Sequence, residues 1–170
     1  MKIQIIGYSG SGKSTLAKQL GEIFNIPVLH LDNTRFYGDW QERDLDEQRA
    51  IVKIFLNNNT SWVIDGNYSS VVPERYEQSD ITIFLNYNRF YCYKKAKERY
   101  KKYRGTHRES CPCEEKFDFA FRYWILFKGR TRKRQKQHIN NLNKSSGQKL
   151  IFNNLKQLNN WLKSLKKSNI

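Results

Sequence analysis

The sequence lacks an N-terminal apolar run long enough to cross a membrane or to form a signal peptide. Its first apolar segment covers only Ile3–Ile6, contains Gln4, and ends at Gly7. A membrane-spanning helix needs about 20 mostly apolar residues, and the core of a signal peptide needs about 7–15. We therefore expect a cytoplasmic protein without a membrane partner.

Cysteine is scarce, and Cys92, Cys111 and Cys113 make an odd count. An odd count gives no even disulfide framework and fits a reducing compartment, so disulfides are not expected. His107 together with Cys111 and Cys113 offers three potential zinc ligands, whereas a zinc site normally has four in two spaced pairs. Exposed or half-buried free thiols are therefore the favoured interpretation, and a zinc site is the alternative.

Acidic residues are also few, because 16 Asp and Glu against 31 Lys and Arg give a net charge of +15. This charge favours anionic partners, phosphate groups first and nucleic acid nonspecifically. Much of it lies in two tracts, Lys94–Arg108 and Lys128–Lys136, which are either solvated helix faces or anion-binding surfaces. No DNA-recognition helix or aromatic module for reading nucleic acid is evident.

The chain has no internal repeat and no low-complexity linker, so its 170 residues predict a single domain, 1–170. Five short apolar runs predict strands at Ile3–Ile6, Pro27–Leu31, Trp62–Ile64, Ile81–Leu85 and Lys149–Phe152. Helical periodicity predicts helices at Lys13–Phe24, Leu45–Phe55, Phe90–Tyr103, Phe117 toward Asn143 with an interruption at Gly129, and Leu155–Leu165. Residues 33–41 read as a loop. This alternation predicts an α/β fold with a five-stranded parallel sheet and helices on both faces.

The segment from Gly7 to Ser14 matches G-x-x-x-x-G-K-[ST], the P-loop pattern, at every fixed position. Glycines let the backbone amides turn toward an anion, and the N-terminus of the next helix adds positive potential. Lys13 can reach the β- and γ-phosphates of ATP, and the Ser14 hydroxyl can bind magnesium (Mg²⁺). The alternative is a glycine turn without a ligand. The nucleotide-binding candidates are Gly7, Ser9, Gly10, Ser11, Gly12, Lys13, Ser14 and Thr15, although the helical position of Thr15 favours the core.

Two carboxylates, Asp32 and Asp65, each close a predicted strand. Ligands in open α/β sheets bind beyond the carboxyl ends of the strands. Both aspartates should therefore border the segment from Gly7 to Ser14, which we call the phosphate loop. Asp65 is expected to orient magnesium-bound water, with a capping or turn role as the alternative. Asp32 could accept the proton of an acceptor hydroxyl, provide a second magnesium ligand, or only stabilise a turn.

Arginines bracket a segment that contains Gly105 and Pro112. Phosphoryl transfer needs positive charge near the equatorial oxygens, which arginine supplies without losing its proton. The arginines before or within the segment, predicted to be catalytic, are Arg99, Arg104 and Arg108. Those after it, predicted to bind nucleotide, are Arg130 and Arg132, with Arg134 nearby. Taken one at a time, each arginine is typical of a solvated surface residue. As a set, these arginines predict a helical lid over about 99–134.

Four segments together resemble one family: GYSGSGKSTLAKQLG from Gly7, HLD at His30–Asp32, WVIDGNY at Trp62–Tyr68, and the cysteine-containing lid. From Lys2 to about Arg134 the chain is similar to the adenylate-kinase-like P-loop proteins known as DNA topology modulation proteins, the FlaR-related group. The first motif is common to P-loop proteins, and the combination is specific to this group. The resemblance implies a five-stranded parallel sheet of the nucleoside-monophosphate-kinase type, with ATP on the Gly7–Ser14 loop.

The resemblance also implies a role for Asp65. The pair Asp65-Gly66 is similar to the Asp-Gly of adenylate kinases, in which the aspartate acts through magnesium-bound water. The Pro-Arg that follows in adenylate kinases is replaced by Asn67 and Tyr68, which argues against a nucleoside monophosphate as acceptor. Arg75 could supply the missing charge, and Arg35 could contact the acceptor.

These features predict an ATP-dependent kinase that transfers the γ-phosphoryl group to a small-molecule or nucleotide acceptor. Lys13, Ser14 and magnesium would hold the donor, and Asp32 and Asp65 would organise metal and acceptor. Two other hypotheses remain open. One is a nucleic-acid-associated ATP-binding protein, suggested by the charge and by the name of the family, and the other is an ATPase or regulator without a small-molecule acceptor.

Overall fold

Strands and helices alternate along the chain in the computed structural model, which describes residues 1–168 and the side chains of residues 1–165. Within this range the strands are β1 Lys2–Gly7, β2 Val28–His30, β3 Phe36–Gly38, β4 Gln41–Glu42, β5 Trp62–Asp65, β6 Ile81–Leu85 and β7 Gln148–Phe152. The α-helices are α1 Lys13–Phe24, α2 Leu31–Arg35, α3 Leu45–Asn58, α4 Glu74–Glu77, α5 Arg89–Tyr103, α6 Phe119–Leu126, α7 Arg132–Asn143 and α8 Leu155–Ser168. A 3-10 turn at Lys128–Arg130 joins α6 to α7.

The main sheet has five strands in the order β2-β5-β1-β6-β7, and every neighbouring pair is parallel. β1 lies at its centre, where Ile3, Ile5 and Ile6 are fully buried. Such strands are apolar on both faces because helices cover a parallel sheet, and branched side chains fit the pleated surface. The predicted five-stranded parallel sheet is confirmed.

Helices flank this sheet. α1 packs on β1, β2 and β5, α7 on β6, and α8 on β7. In α8, Leu158 and Leu162 are each 6% exposed, and the Trp161 ring lies 5.5 Å from that of Phe152. The predicted amphipathic C-terminal helix therefore packs on the sheet as expected. Among residues 1–168, no helix combines the length and apolar composition needed to cross a membrane.

The segment after β2 is more ordered than the sequence indicates. The predicted loop at 33–41 contains most of helix α2 and the two-stranded hairpin β3–β4. β2 ends at His30, so Asp32 lies in the first turn of α2 and does not close a strand, contrary to prediction. The short helix escapes prediction because its five residues are too few to show a helical period; within it, Thr34 Oγ1 donates to Leu31 O at 2.9 Å.

The predicted interruption at Gly129 is confirmed. α6 ends at Leu126, the 3-10 turn includes Gly129, and α7 starts at Arg132. α6 begins two residues after the predicted start at Phe117 because the carboxylate of Asp118 accepts the Phe121 N–H at 2.8 Å and caps the helix. Two separate helices thus follow the segment of residues 104–118.

Candidate active site

The loop from Gly7 to Ser14 leads from β1, at the centre of the sheet, into α1. Gly10 and Gly12 have φ angles of +79° and +89°, in the left-handed region that favours glycine. A Cβ on Gly10 would lie 2.3 Å from the carbonyl oxygen of Cys92 in α5, whereas one on Gly12 would meet nothing within 4 Å. Backbone conformation thus requires glycine at both positions, and close packing requires it at Gly10.

Some hydrogen-bond donors of the loop have no acceptor among the residues that the structure describes. Gly12 caps α1 with no side-chain hydrogen bond, and no acidic residue lies in the first turn, so the first N–H groups of the helix face an open position. The hydroxyl of Ser11, a residue only 3% exposed, has no partner among the described residues. These donors and the helix dipole fit a polyphosphate.

Lys13 is the cation of the loop. Its Nζ donates to the carbonyl of Tyr8 at 3.2 Å, which folds the side chain back over the loop. Burial lowers the pKa of Lys13, and the nearby carboxylates Asp65 and Asp32 partly oppose this shift. A polyphosphate would act in the same direction as these carboxylates and stabilise the ammonium form.

Three side chains meet at the carboxyl end of β5. Asp65, 5% exposed, accepts from Ser14 Oγ through Oδ2 at 2.9 Å and lies 2.5 Å from His30 Nδ1 through Oδ1. His30 ends β2, and the parallel register pairs it with Asp65 on the neighbouring strand. Sequence reasoning assigned no role to His30. The available signals were its place in the HLD motif of the family resemblance and near the end of a predicted strand.

The Ser14–Asp65 pair suits magnesium, which prefers hard oxygen ligands and binds proteins through a few of them together with phosphates and water. Among the described residues, no group of three or more His, Cys, Asp and Glu side chains is arranged to hold a metal ion. A magnesium ion at Ser14 and Asp65 would therefore complete its ligand set with phosphate and water oxygens. This is the arrangement expected when the metal arrives with a nucleotide.

Asn67 attaches the loop after β5 to the start of the phosphate loop. Its Oδ1 accepts the Gly7 N–H at 2.9 Å, and its Nδ2 donates to the Gly7 carbonyl at 2.7 Å. Both polar ends of the side chain are therefore engaged by one residue. The sequence showed Asn67 only as a departure from the adenylate-kinase pattern, and the structure shows that it contacts the phosphate loop.

Asp32 lies on another wall of the same cleft. Its Oδ1 accepts from the Tyr68 hydroxyl at 2.6 Å, and the Arg35 guanidinium lies 4.8 Å from the centre of the Tyr68 ring. Burial and the neighbouring Asp32 carboxylate raise the pKa of Tyr68, which therefore stays a hydrogen-bond donor. Arg35 is also paired with Glu42 at 2.7 Å. Asp32 thus borders the cleft as predicted, although from a helix.

Two of the predicted catalytic arginines converge. Arg99 Nε lies 3.0 Å from Glu115 Oε2, and Arg108 contacts Oε1 of the same buried carboxylate. Burial, and then the charge of Arg108, lowers the pKa of Arg99, so the two cations are close together. Both line the cleft, whereas Arg104 is exposed at the end of α5 and does not line it. The cleft lining thus does not support the catalytic role predicted for Arg104, which follows the last residue of α5 and is exposed there.

The arginines after α6 also separate into different environments. Arg130 lies 3.6 Å from the centre of the Tyr8 ring and donates to the Tyr87 carbonyl at 2.7 Å, so it packs against the phosphate loop and, contrary to prediction, does not line the cleft. Arg132, the first residue of α7, is exposed and does not line the cleft, contrary to prediction. Arg134, two residues on, does line the cleft.

Two further predictions are corrected. Thr15 is exposed and lines the cleft, so it does not face the core, and its place among the nucleotide-binding candidates is compatible with the structure. Arg75 is 0% exposed and cannot supply charge to the cleft. It donates to the carbonyls of Val71, Val72 and Tyr68 and to side-chain oxygens of neighbouring residues.

The thiols Cys111 and Cys113 are 2% and 1% exposed, so the prediction of exposed or half-buried thiols is wrong. They pack with Phe36 of the hairpin, and Cys113 Sγ accepts the N–H of Trp40 at 3.3 Å. Burial raises the pKa of Cys111 to about 12. These thiols therefore belong to a small core that joins the hairpin β3–β4 to residues 108–115.

His138 in α7 is 7% exposed and packs edge-on against the Tyr8 ring at 5.0 Å. Burial, and then the charges of Lys13, Arg134 and Arg130, lowers its pKa from 6.5 to about 4. The folded chain therefore holds His138 neutral between these two values, whereas the unfolded chain binds a proton. Stability linked to His138 is fully present above about pH 6.5 and is lost as the pH falls toward 4.

We expect the unfolding free energy of His138→Gln to depend less on pH in this range than that of the unmodified chain. The difference in unfolding free energy between the two proteins should change by about 3 kcal/mol between neutral pH and pH 4. Urea unfolding at several pH values measures this change. The exposed His107, changed to Gln, is the control and should follow the unmodified chain. Parallel curves for His138→Gln and the unmodified chain would contradict the assignment.

One cleft of about 1010 Å³ collects these side chains. Cationic side chains in its lining outnumber carboxylates, with Lys13, Arg35, Lys95, Arg99, Lys102, Arg108 and Arg134 against Asp32, Asp65 and Glu98. The positive excess fits an anionic ligand. The phosphate loop forms one wall, and Asp32, Tyr68 and the hairpin form another.

No protein-family model and no curated protein sequence matches the chain. Solved structures share its fold. Shikimate kinase from Bacteroides thetaiotaomicron is similar over 98% of this chain and 96% of its own, with a TM-score of 0.53 and 17% identity. Deoxyadenosine kinase from M. mycoides with bound dATP is similar over 100% of both chains, with a TM-score of 0.55 and 15% identity. Since identities this low speak for the fold alone, the chain has the fold of P-loop kinases.

Proposed function

We propose that this protein is an ATP-dependent kinase that transfers the γ-phosphoryl group to a small-molecule or nucleotide acceptor. The observation that carries the proposal is the junction of the phosphate loop with Asp65, in which Ser14 Oγ and Asp65 Oδ2 are 2.9 Å apart. The same cleft contains a separate wall, at Asp32, where an acceptor can bind. Kinases with the same fold, for shikimate and deoxyadenosine, support this reading.

The donor half of the site uses backbone and one lysine. The unpaired N–H groups at the start of α1 bind phosphate oxygens, and Lys13 places its charge against the terminal phosphates. Magnesium, when bound, neutralises charge on the phosphates. Ser14 and Asp65 would hold a magnesium ion, and His30 fixes the orientation of the Asp65 carboxylate.

The segment from about 99 to 134 acts as a lid in this proposal. Arg99 and Arg108 bring positive charge to the cleft while Glu115 fixes their orientation. Charge preorganised in this way stabilises the transferring phosphoryl group more than the bound nucleotide, so it raises the rate of the chemical step.

We expect Arg99→Ala to lower kcat by about 10²–10³-fold with a smaller change in ATP affinity, because its charge acts mainly on the transition state. Arg104→Ala is the matched control, since Arg104 is five residues away, exposed and outside the cleft. Steady-state kinetics of both variants measure the effect. Equal losses in the two variants would contradict a specific role for Arg99.

Membership in the DNA topology modulation group is the finer part of the proposal. It is supported by the motifs at Gly7–Gly21, His30–Asp32 and Trp62–Tyr68, each of which contributes residues to one cleft. The buried cysteine pair Cys111 and Cys113 adds the lid element of the same resemblance. Each motif thus has a physical role at the site.

A nucleic-acid-associated ATP-binding protein is the second candidate function, and the net charge of +15 favours it. Exposed basic residues continue along α5 and α7, among them Lys101, Lys102, Arg132 and Lys136. Such a surface gives salt-sensitive binding without base recognition. Charge therefore supports contact with nucleic acid, whereas the geometry of the cleft supports phosphoryl transfer to a small molecule.

ADP release measured with different additives separates the candidates. The panel contains alcohols (shikimate, deoxyadenosine, glycerol), monophosphates (AMP, dCMP), duplex DNA, and a sample with no addition. Stimulation by a small molecule and not by DNA supports the kinase. Stimulation by duplex DNA alone contradicts it, and equal ADP release in every sample identifies an ATPase without an acceptor.

A further inference from the structure

The wall opposite the phosphate loop carries a carboxylate. Asp32 lines the cleft, and its Oδ1 is fixed by the hydroxyl of Tyr68 at 2.6 Å. It lines the same cleft as Lys13 and Arg99, and its charge partly offsets the lowering of their pKa values that burial causes. A fixed carboxylate in this position can accept a proton, and it repels a second anion.

Several cationic or polar side chains near Asp32 that could bind an acceptor phosphate already have partners in the chain. Arg75 is fully buried and donates to backbone carbonyls, and Asn67 uses both its polar ends on Gly7. Arg35 is paired with Glu42 and lies over the Tyr68 ring, and its buried Nε has no partner among the described residues. Arg99 and Arg108 line the same cleft but share the carboxylate of Glu115, and the proposed function assigns their charge to the transferring phosphoryl group. Asp32 is therefore the group of this wall that can accept a proton, and these cations around it are already held by other groups of the chain.

We propose that the acceptor atom is an alcohol oxygen, not a phosphate oxygen, and that Asp32 takes the proton of that alcohol. This inference rests on the proposed kinase function and narrows its acceptor to hydroxyl compounds. Tyr68 is the positioning residue, because its hydroxyl holds one oxygen of Asp32 and leaves the other for the substrate.

Atoms and charges balance in this reaction. The alcohol oxygen forms a bond to the γ-phosphorus, the bond from that phosphorus to the β,γ-bridging oxygen breaks, and ADP leaves with the electron pair. The alcohol proton passes to Asp32 and then to solvent. At about pH 8, where phosphates are fully ionised, one proton is released for each ADP. Transfer to a monophosphate releases none, because the charges of AMP and ATP equal those of the two diphosphates.

The test runs the alcohols and monophosphates of the panel at about pH 8 and measures ADP, inorganic phosphate and protons together. We expect an alcohol to stimulate ADP formation with one proton per ADP and no inorganic phosphate, which excludes hydrolysis. Asp32→Asn should lower this kcat by about 10²–10⁴-fold with ATP binding retained. Asp39→Asn is the control, since Asp39 is exposed at the hairpin tip and outside the cleft, and it should leave the rate unchanged.

Several outcomes overturn the inference. AMP or dCMP stimulating ADP formation without proton release refutes it and leaves the proposed kinase intact. No stimulation by any alcohol, with ATP bound, also overturns it. An unaffected rate in Asp32→Asn removes Asp32 from the proton transfer. Failure of the unmodified chain to bind ATP refutes the proposed function itself, which distinguishes the two failures.

Discussion

Replacing Lys13 by alanine is expected to lower ATP turnover by about 10³-fold or more while the fold is retained. The lysine is the one cation that belongs to the phosphate loop itself, and transition-state charge on the transferring group depends on it. Its burial already disfavours the ammonium form, so its removal costs the empty protein little stability. Loss of turnover with an unchanged urea midpoint is the expected pair of results.

Lys18→Ala provides the matched control on the same helix. Lys18 is exposed, forms its ion pair with Glu109 at 2.9 Å, and does not line the cleft. Its removal should leave ATP binding unchanged, as measured by equilibrium titration. Undiminished ATP affinity and turnover in Lys13→Ala would mean that the phosphate loop does not hold the nucleotide.

The largest loss of stability is expected for Arg75→Met. The buried guanidinium donates to three backbone carbonyls and to the side-chain oxygens of Gln4 and Tyr76. Methionine fills a similar volume but leaves these acceptors without donors, and each unsatisfied buried group costs about 1–3 kcal/mol. We expect a loss of about 3–5 kcal/mol in the free energy of unfolding.

Urea unfolding measures this loss, and Arg122→Met is the control because Arg122 is exposed on α6. The control should stay within about 0.5 kcal/mol of the unmodified chain. ATP affinity of folded Arg75→Met should be nearly unchanged, since the guanidinium does not line the cleft. A normal stability with lost turnover would instead restore Arg75 to the active site.

The sheet and the phosphate loop could be predicted because their determinants are local. Runs such as Ile3–Ile6 encode buried strands by composition alone, and the glycines at 10 and 12 mark φ angles that other residues avoid. A strand followed by such a loop and a helix leaves one arrangement of the donor site. Local sequence therefore determined the half of the cleft that the Gly7–Ser14 loop forms.

The other half depends on contacts between distant residues, which one sequence does not reveal. His30 meets Asp65 across 35 positions, and Asn67 meets Gly7 across 60. Arg75 shows the reverse case. The sequence suggested that its charge could reach the acceptor, whereas its guanidinium donates to the backbone carbonyls of its own turn. Asp32 was predicted to border this cleft at the end of a strand, and it borders the cleft from helix α2. The predicted position was still correct because α2 begins directly after β2 ends.

The close approach of Gly10 to the backbone of Cys92 sets the distance between the phosphate loop and helix α5, which carries Arg99. Cys92, Ala96 and Arg99 lie on one face of α5, at intervals of four and three residues, and the first two lie under Gly10. Arg99 follows Cys92 by about 10 Å along the same rigid rod. Helix α5 thus fixes the distance between the phosphate loop and Arg99. Inserting one residue between Cys92 and Arg99 would rotate the guanidinium by about 100° around the helix axis, away from Glu115.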